Sequence, residues 1–136
     1  MVGLVIISHS RDLAVSLVSL VRQMAGNEVP IGVAAGVGNK NTEFGTDAVE
    51  IADTIRTVDE GDGVIVLMDL GSAVLSAETA IDLLPEELRR RVVLCPAPLV
   101  EGAIIAGVQA SIGDDLDSVC RQASQALTEK QQKLLK

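Results

Sequence analysis

Apolar positions fall in short unbroken runs along this chain, separated by longer stretches in which they recur at helical spacing. Residues 2–7, 30–35, 64–68 and 92–94 are the runs, rich in Val and Ile and bounded by Gly, Pro or charged residues. Such runs predict strands buried on both faces, as in a parallel sheet. After the first run Leu13, Leu17, Leu20, Val21 and Met24 keep three- and four-residue spacing, which predicts a helix stopped by Gly26-Asn27. Thr46 or Asp47 can cap a second helix through Ala48, Ile51, Ala52 and Ile55. A third runs through Ala73, Ala77, Ala80, Ile81 and Leu84 to Pro85, and residues 86–91 read as a charged linker or short turn. Residues 99–110 read as an apolar segment led into by Pro96-Ala97-Pro98. A closing helix is predicted over about 115–135, with a polar tail at 128–136 expected to fray.

Strands alternating with helices imply right-handed βαβ units. The predicted fold is α/β: a mainly parallel sheet of four to five strands with helices on both faces. A chain of 136 residues suits one domain, placed at 1–127 ahead of the tail. With 48% hydrophobic residues but one aromatic, Phe44, the core must be aliphatic, and base-stacking platforms are missing. A net charge of −8 repels nucleic-acid phosphates and favours partners with basic patches. Cys95 and Cys120 stand far apart in sequence and, with a single histidine, give no zinc-ligand spacing. No secretory signal and no apolar run near the ~20 residues of a membrane span are apparent, so a cytoplasmic protein is expected. Gly36-Val37-Gly38 has neither P-loop nor dinucleotide register, and no bound cofactor or metal is expected.

The sole histidine, His9, follows the first strand within Ser8-His9-Ser10. It reads either as a structural histidine or as a nucleophile at the carboxyl rim of the sheet, where α/β folds hold ligands. Asp69 ends the third strand. If the first and third strands are neighbours, its carboxylate meets His9, fixes the ring tautomer and leaves the far nitrogen free; otherwise it is a capping carboxylate. Gly71 and Ser72 open the next helix, whose amino terminus suits a phosphate, although Ser there can be a plain N-cap. The same reasoning covers Ser10 and Arg11, the latter a phosphate clamp or a solvated side chain. Thr46 brings a further helix start to the same rim. Glu78 and Glu101 read as structural or interfacial.

Four segments carry a resemblance: LVIISHS at 4–10, GTDA at 45–48, MDLGSAVLSAETA at 68–80 and APLVEGA at 97–103. Together they resemble the M subunits of phosphoenolpyruvate-dependent dihydroxyacetone kinases, whose domain is of the mannose-type EIIA class of the sugar phosphotransferase system. The resemblance covers residues 1 to about 127 and implies a phosphocarrier. His9 would accept a phosphoryl group from HPr and pass it to ADP held on the kinase L subunit, while the K subunit binds dihydroxyacetone. It also implies that Asp69 orients His9, that Gly71 and Ser72 face the phosphoryl group, and that the domain is a homodimer. Ser16 stands where the family pattern has Gly, which bears on helix packing. Some M subunits carry HPr-like and Enzyme I-like domains; with no second histidine, this chain is expected to draw on a separate carrier. Two other readings are a mannose-type EIIA that phosphorylates an EIIB component and a regulatory module that phosphorylation only signals through. The Leu70-Gly71-Ser72-Ala73 run, where the sugar branch often has Trp-Gly-Gly-Ser, leans away from the EIIB role.

Overall fold

In the computed structural model, which describes residues 1–135, four strands lie in one sheet in the order β2-β1-β3-β4. They are β1 (Gly3–Ser8), β2 (Ile31–Ala35), β3 (Val64–Met68) and β4 (Val92–Leu94), and every pairing is parallel. Pro30 lacks an N–H for the ladder, so β2 starts one residue later, while the Pro30 carbonyl still accepts from Leu4 N–H at 2.9 Å. The chain runs outward from β1 to β2 on one side, then crosses to β3 on the other. The β1/β3 junction is therefore a topological switch point, where a crevice opens at the carboxyl ends of the strands.

Side-chain alternation along the strands divides the core. Leu4, Ile6, Ile65 and Leu67 face helices α1 (Arg11–Ala25), α5 (Leu99–Ser111) and α6 (Leu116–Ser124). Val5, Ile7, Val64 and Val66 face α2 (Ala48–Val58) and α3 (Gly71–Asp82). A short α4 (Glu86–Arg89) follows α3, and α7 (Ala126–Leu134) closes the chain. All eight strand residues are fully buried. Each such aliphatic side chain contributes about 1.5–3 kcal/mol, which fixes the strand register and, with it, the positions of the strand ends.

Three stretches depart from the sequence expectation. In α1 the buried line is Ala14, Leu17 and Val21, whereas Leu13, Leu20 and Met24 are 44%, 45% and 65% exposed. The helix sits so close to α5 that small residues occupy the contact: a Cβ on Gly107 would stand 2.6 Å from Val21 Cγ1. Of the stripe read from spacing, Leu17 and Val21 are buried, while Leu13, Leu20 and Met24 are turned outward. The apolar segment at 99–110 lies in α5, with Gly102, Ala103, Ala106, Gly107 and Ala110 buried. The closing helix is two, α6 and α7, divided at Gln125. Just before the break Ser124 Oγ donates back to the Cys120 carbonyl at 2.7 Å, a bond that bends helices.

Candidate functional site

β1 and β3 pair in register, Ile7 opposite Met68, so the residues that follow them emerge side by side. These residues are His9 and Asp69. His9 Nδ1 lies 3.0 Å from Asp69 Oδ1, with the two side chains 25% and 14% exposed. The second carboxylate oxygen, Oδ2, accepts from His9 N–H and from the Ser8 hydroxyl, both at 2.9 Å. Leu70 N–H donates to Oδ1 at 2.7 Å. Burial pushes the Asp69 carboxyl upward, but the bonds from the His9 backbone and ring, Leu70 N–H and Ser8 outweigh it. The result is a carboxyl below its ordinary range. An ionised carboxylate on Nδ1 requires the proton there, which leaves the Nε2 lone pair as the reactive one.

Nε2 faces α3. Ser72 Oγ stands 2.8 Å from it. Leu70 is the N-cap of α3 and provides no side-chain cap, so Ser72 is not a capping serine; its hydroxyl goes to the imidazole instead. Asp69 precedes the cap and is no helix cap either. Gly71 and Ser72 open the helix, and N–H groups in a first turn have no intrahelical acceptor. Nothing lies within 4 Å of a Cβ placed on Gly71, so the space beside the helix start is open. An anion beside Nε2 would meet the positive end of the α3 dipole and the Ser72 hydroxyl.

The remaining expected residues are placed as follows. Ser10 is the N-cap of α1, its hydroxyl accepting from Leu13 N–H, and its own N–H donates to Ser8 Oγ at 3.0 Å. Arg11, its side chain 30% exposed, is turned toward β2 and α2. Its Nε donates to the Ala35 carbonyl at 3.0 Å and its Nη2 to Glu50 at 2.6 Å. Thr46 stands beside Asp47, the true cap of α2, and its hydroxyl meets Ser76 Oγ at 2.7 Å. Ser76 lies one turn of α3 beyond Ser72, so Thr46 ties the preceding loop to α3 and makes no hydrogen bond to His9. That loop is also held at Gly45, whose N–H donates to the His9 carbonyl at 2.9 Å. Gly36 must be glycine there: φ is +75°, and a Cβ would lie 2.1 Å from the Asn41 carbonyl oxygen. Glu101 pairs with Lys130 at 2.8 Å.

Ser8 and Ser76 are the site residues that sequence reasoning passed over. The available signal for Ser8 was a hydroxyl ending an otherwise apolar buried strand. The two cysteines, distant in sequence, converge: Cys95 Sγ and Cys120 Sγ lie 3.5 Å and 3.9 Å from Ser124 Oγ. Burial pushes the Cys95 thiol up to about 11, which leaves it protonated and inert at neutral pH. Among the described residues no group of three or more His, Cys, Asp or Glu could hold a metal ion. A hollow of about 310 Å³ adjoins the site, lined by Met68, Asp69, Leu70, Cys95 and Pro96 among others. His9 does not line it; its partly exposed side chain stands at the rim of the sheet.

A histidine oriented by a carboxylate stands at the switch point of a parallel sheet and faces a helix amino terminus, an arrangement chemically suited to an anion. The family described as "PTS system fructose IIA component" (EIIA-man) matches residues 3–120, and the chain belongs to that family. It is 47% identical over 135 residues to "PEP-dependent dihydroxyacetone kinase, phosphoryl donor subunit DhaM" of Providencia stuartii, covering 98% of this chain and 28% of that protein. The protein of the same name from Escherichia coli is 46% identical, with 98% and 29% covered. The chain thus spans under a third of these relatives. A Listeria innocua relative, "PEP-dependent dihydroxyacetone kinase 2, phosphoryl donor subunit DhaM", is 36% identical, with 90% of this chain and 96% of that protein covered. Among solved structures, "unknown function protein EF1359" superposes with a TM-score of 0.82 at 34% identity, covering 92% of this chain and 94% of that one. No described helix is long and apolar enough to cross a membrane.

Proposed function

We propose that the chain is a phosphohistidine carrier serving a dihydroxyacetone kinase. His9 Nε2 attacks the phosphorus of the phosphohistidine on HPr; a new N–P bond forms as the donor's N–P bond breaks, and the donor imidazole leaves with its lone pair. In the second step an oxygen of the ADP β-phosphate, held on the kinase L subunit, attacks the same phosphorus and His9 is regenerated. The ATP so formed serves the K subunit, which binds dihydroxyacetone. The chain's part is positioning and charge stabilisation of an in-line displacement. Asp69 holds the reactive nitrogen outward and stabilises positive charge growing on the ring, while Gly71 and Ser72 receive the phosphoryl oxygens.

The observation that carries this reading is the two-sided hold on His9, with Asp69 on Nδ1 and Ser72 on Nε2. The role that names the relatives, phosphoryl donor subunit, favours the kinase over an EIIB component. An exposed rim suits a carrier, since donor and acceptor are both macromolecules. The cytoplasm and a homodimeric state complete the proposal. It is tested with labelled phosphoenolpyruvate, Enzyme I and HPr. Wild-type chain takes up acid-labile phosphate, and His9→Ala takes up none. Addition of L and K subunits then yields dihydroxyacetone phosphate with the wild-type chain alone. Full labelling of His9→Ala refutes the assignment; labelled chain that discharges to an EIIB component but not to the L subunit refutes the kinase role.

A further inference from the structure

Ser8 is the one polar residue among the described residues to be completely buried. It ends β1, opposite Ala35 of β2, on the face otherwise occupied by Leu4 and Ile6. A hydroxyl withdrawn from water is tolerated only with its hydrogen bonds made. Ser8 makes two. Its oxygen accepts from Ser10 N–H at 3.0 Å, and its proton is donated to Asp69 Oδ2 at 2.9 Å. An ionised carboxylate has no proton to give, so the second bond runs in one direction only.

We infer that Ser8 is a positioning residue for phosphoryl transfer, acting through Asp69 to set the tautomer of His9; this rests on the phosphohistidine reading above. Rotation about either side-chain torsion, χ1 or χ2, would let the carboxylate swing away from the imidazole. Three donors oppose that swing besides the ring itself. Leu70 N–H holds Oδ1, while His9 N–H and Ser8 Oγ–H hold Oδ2. Ser8 is the only side chain of the three, and its oxygen also accepts from the N–H of Ser10, the N-cap of α1. It thereby joins the orienting carboxylate at the end of β3 to the helix that follows His9. Without it Oδ2 loses a charge-assisted donor, Oδ1 is no longer aimed at Nδ1, and the proton can settle on Nε2, which removes the nucleophile.

The test uses Ser8→Ala, which deletes a single oxygen and keeps an apolar side chain in an apolar environment, and Ser8→Thr, which keeps the hydroxyl. Two measurements are made on the full chain. Nitrogen-15 NMR of the imidazole reads the neutral tautomer without any partner. Single-turnover transfer of labelled phosphate from HPr reads the rate constant and its half-saturating donor concentration. Ser8→Ala is expected to shift the tautomer toward Nε2–H and to slow transfer about 10- to 100-fold at an unchanged half-saturating concentration, as loss of a hydrogen bond to a charged group implies. Ser8→Thr restores both to within roughly threefold. A merely structural serine would lower the melting temperature of Ser8→Ala and move neither reading. An unchanged tautomer or an unchanged rate constant in Ser8→Ala overturns the inference. If wild-type chain takes no phosphate the carrier reading fails, and the tautomer measurement alone still decides the role of Ser8.

Discussion

Replacement of Asp69 by alanine probes the site where its geometry is tightest. The carboxylate accepts four hydrogen bonds, from His9 Nδ1, His9 N–H, Leu70 N–H and Ser8 Oγ. Positive charge grows on the imidazole as Nε2 bonds to phosphorus, so the Nδ1 contact strengthens along the reaction and its loss falls on the rate. A hydrogen bond to a charged partner is worth about 1.5–3 kcal/mol, and about 1.36 kcal/mol is one decade in rate. Transfer by Asp69→Ala is therefore expected to fall about 10- to 100-fold. The stability cost is smaller than four lost bonds would imply. The side chain is 14% exposed, so rim water can reach the donors nearest solvent, Leu70 N–H first among them. A loss of about 1–3 kcal/mol is expected, within the ~5–15 kcal/mol by which domains are stable. Isosteric Asn is no milder, since either amide orientation sets its NH₂ against a backbone N–H, at Leu70 or at His9. Quench-flow labelling from HPr at 25 °C and chemical denaturation measure the two effects. Asp69→Ala transferring within a factor of about two of wild type would refute the orienting role, as would an unfolded variant, which would make Asp69 a structural residue first.

Three more substitutions probe neighbouring contacts. Ser72→Ala removes the hydroxyl that faces Nε2, and discharge of the phosphorylated chain to its acceptor should slow about tenfold, read by chase of preloaded label. Arg11→Ala breaks the pair with Glu50 and the bond to the Ala35 carbonyl; stability should fall by about 1 kcal/mol while transfer stays within roughly twofold, and a larger rate loss would return Arg11 to the phosphoryl site. Asp59 is held below its ordinary range by hydrogen bonds from Arg91, which outweigh its burial. A depressed carboxyl stabilises the fold above its unfolded pKa, about 3.9, and that contribution disappears as pH falls through the lower folded value. Denaturation between pH 5 and pH 2 should accordingly show a shallower acid loss in Asp59→Ala than in wild type.

The strands were legible because burial on both faces leaves an unbroken apolar run. Val64–Met68 is such a run, five residues long and closed by Asp69, too short for a buried helix. From there the meeting of His9 and Asp69 required only that β1 and β3 be neighbours. The α5 helix was illegible for the opposite reason. Its apolar residues surround the axis, and its contact face is made of Gly and Ala, so no periodic stripe marks it. In α1 spacing picks out Leu17 and Val21, which are buried, but it misses Ala14, which completes their line, and it includes Leu13, Leu20 and Met24, which are exposed. Hydrogen-bond partners across 30 to 63 residues of chain, such as Thr46 with Ser76 and Ser72 with His9, have no local signature. Either hydroxyl could serve as a cap or a phosphate contact until the loop and the helix were placed.

The register of β1 against β3 has a consequence for how this chain can vary. Slipping β3 by one residue would put Met68 or Leu70 beside His9 and would also turn Val64 and Val66 onto the opposite face. Any alignment that spoils the chemistry therefore spoils the core at once. The histidine and its carboxylate stand 60 positions apart in the chain, with two helices, two strands and a glycine-containing loop between them. Insertions there can lengthen the connection without changing the distance between its ends. Substitution can thus reshape the docking rim freely, while misalignment of the site is eliminated as misfolding before it can appear as a slow carrier.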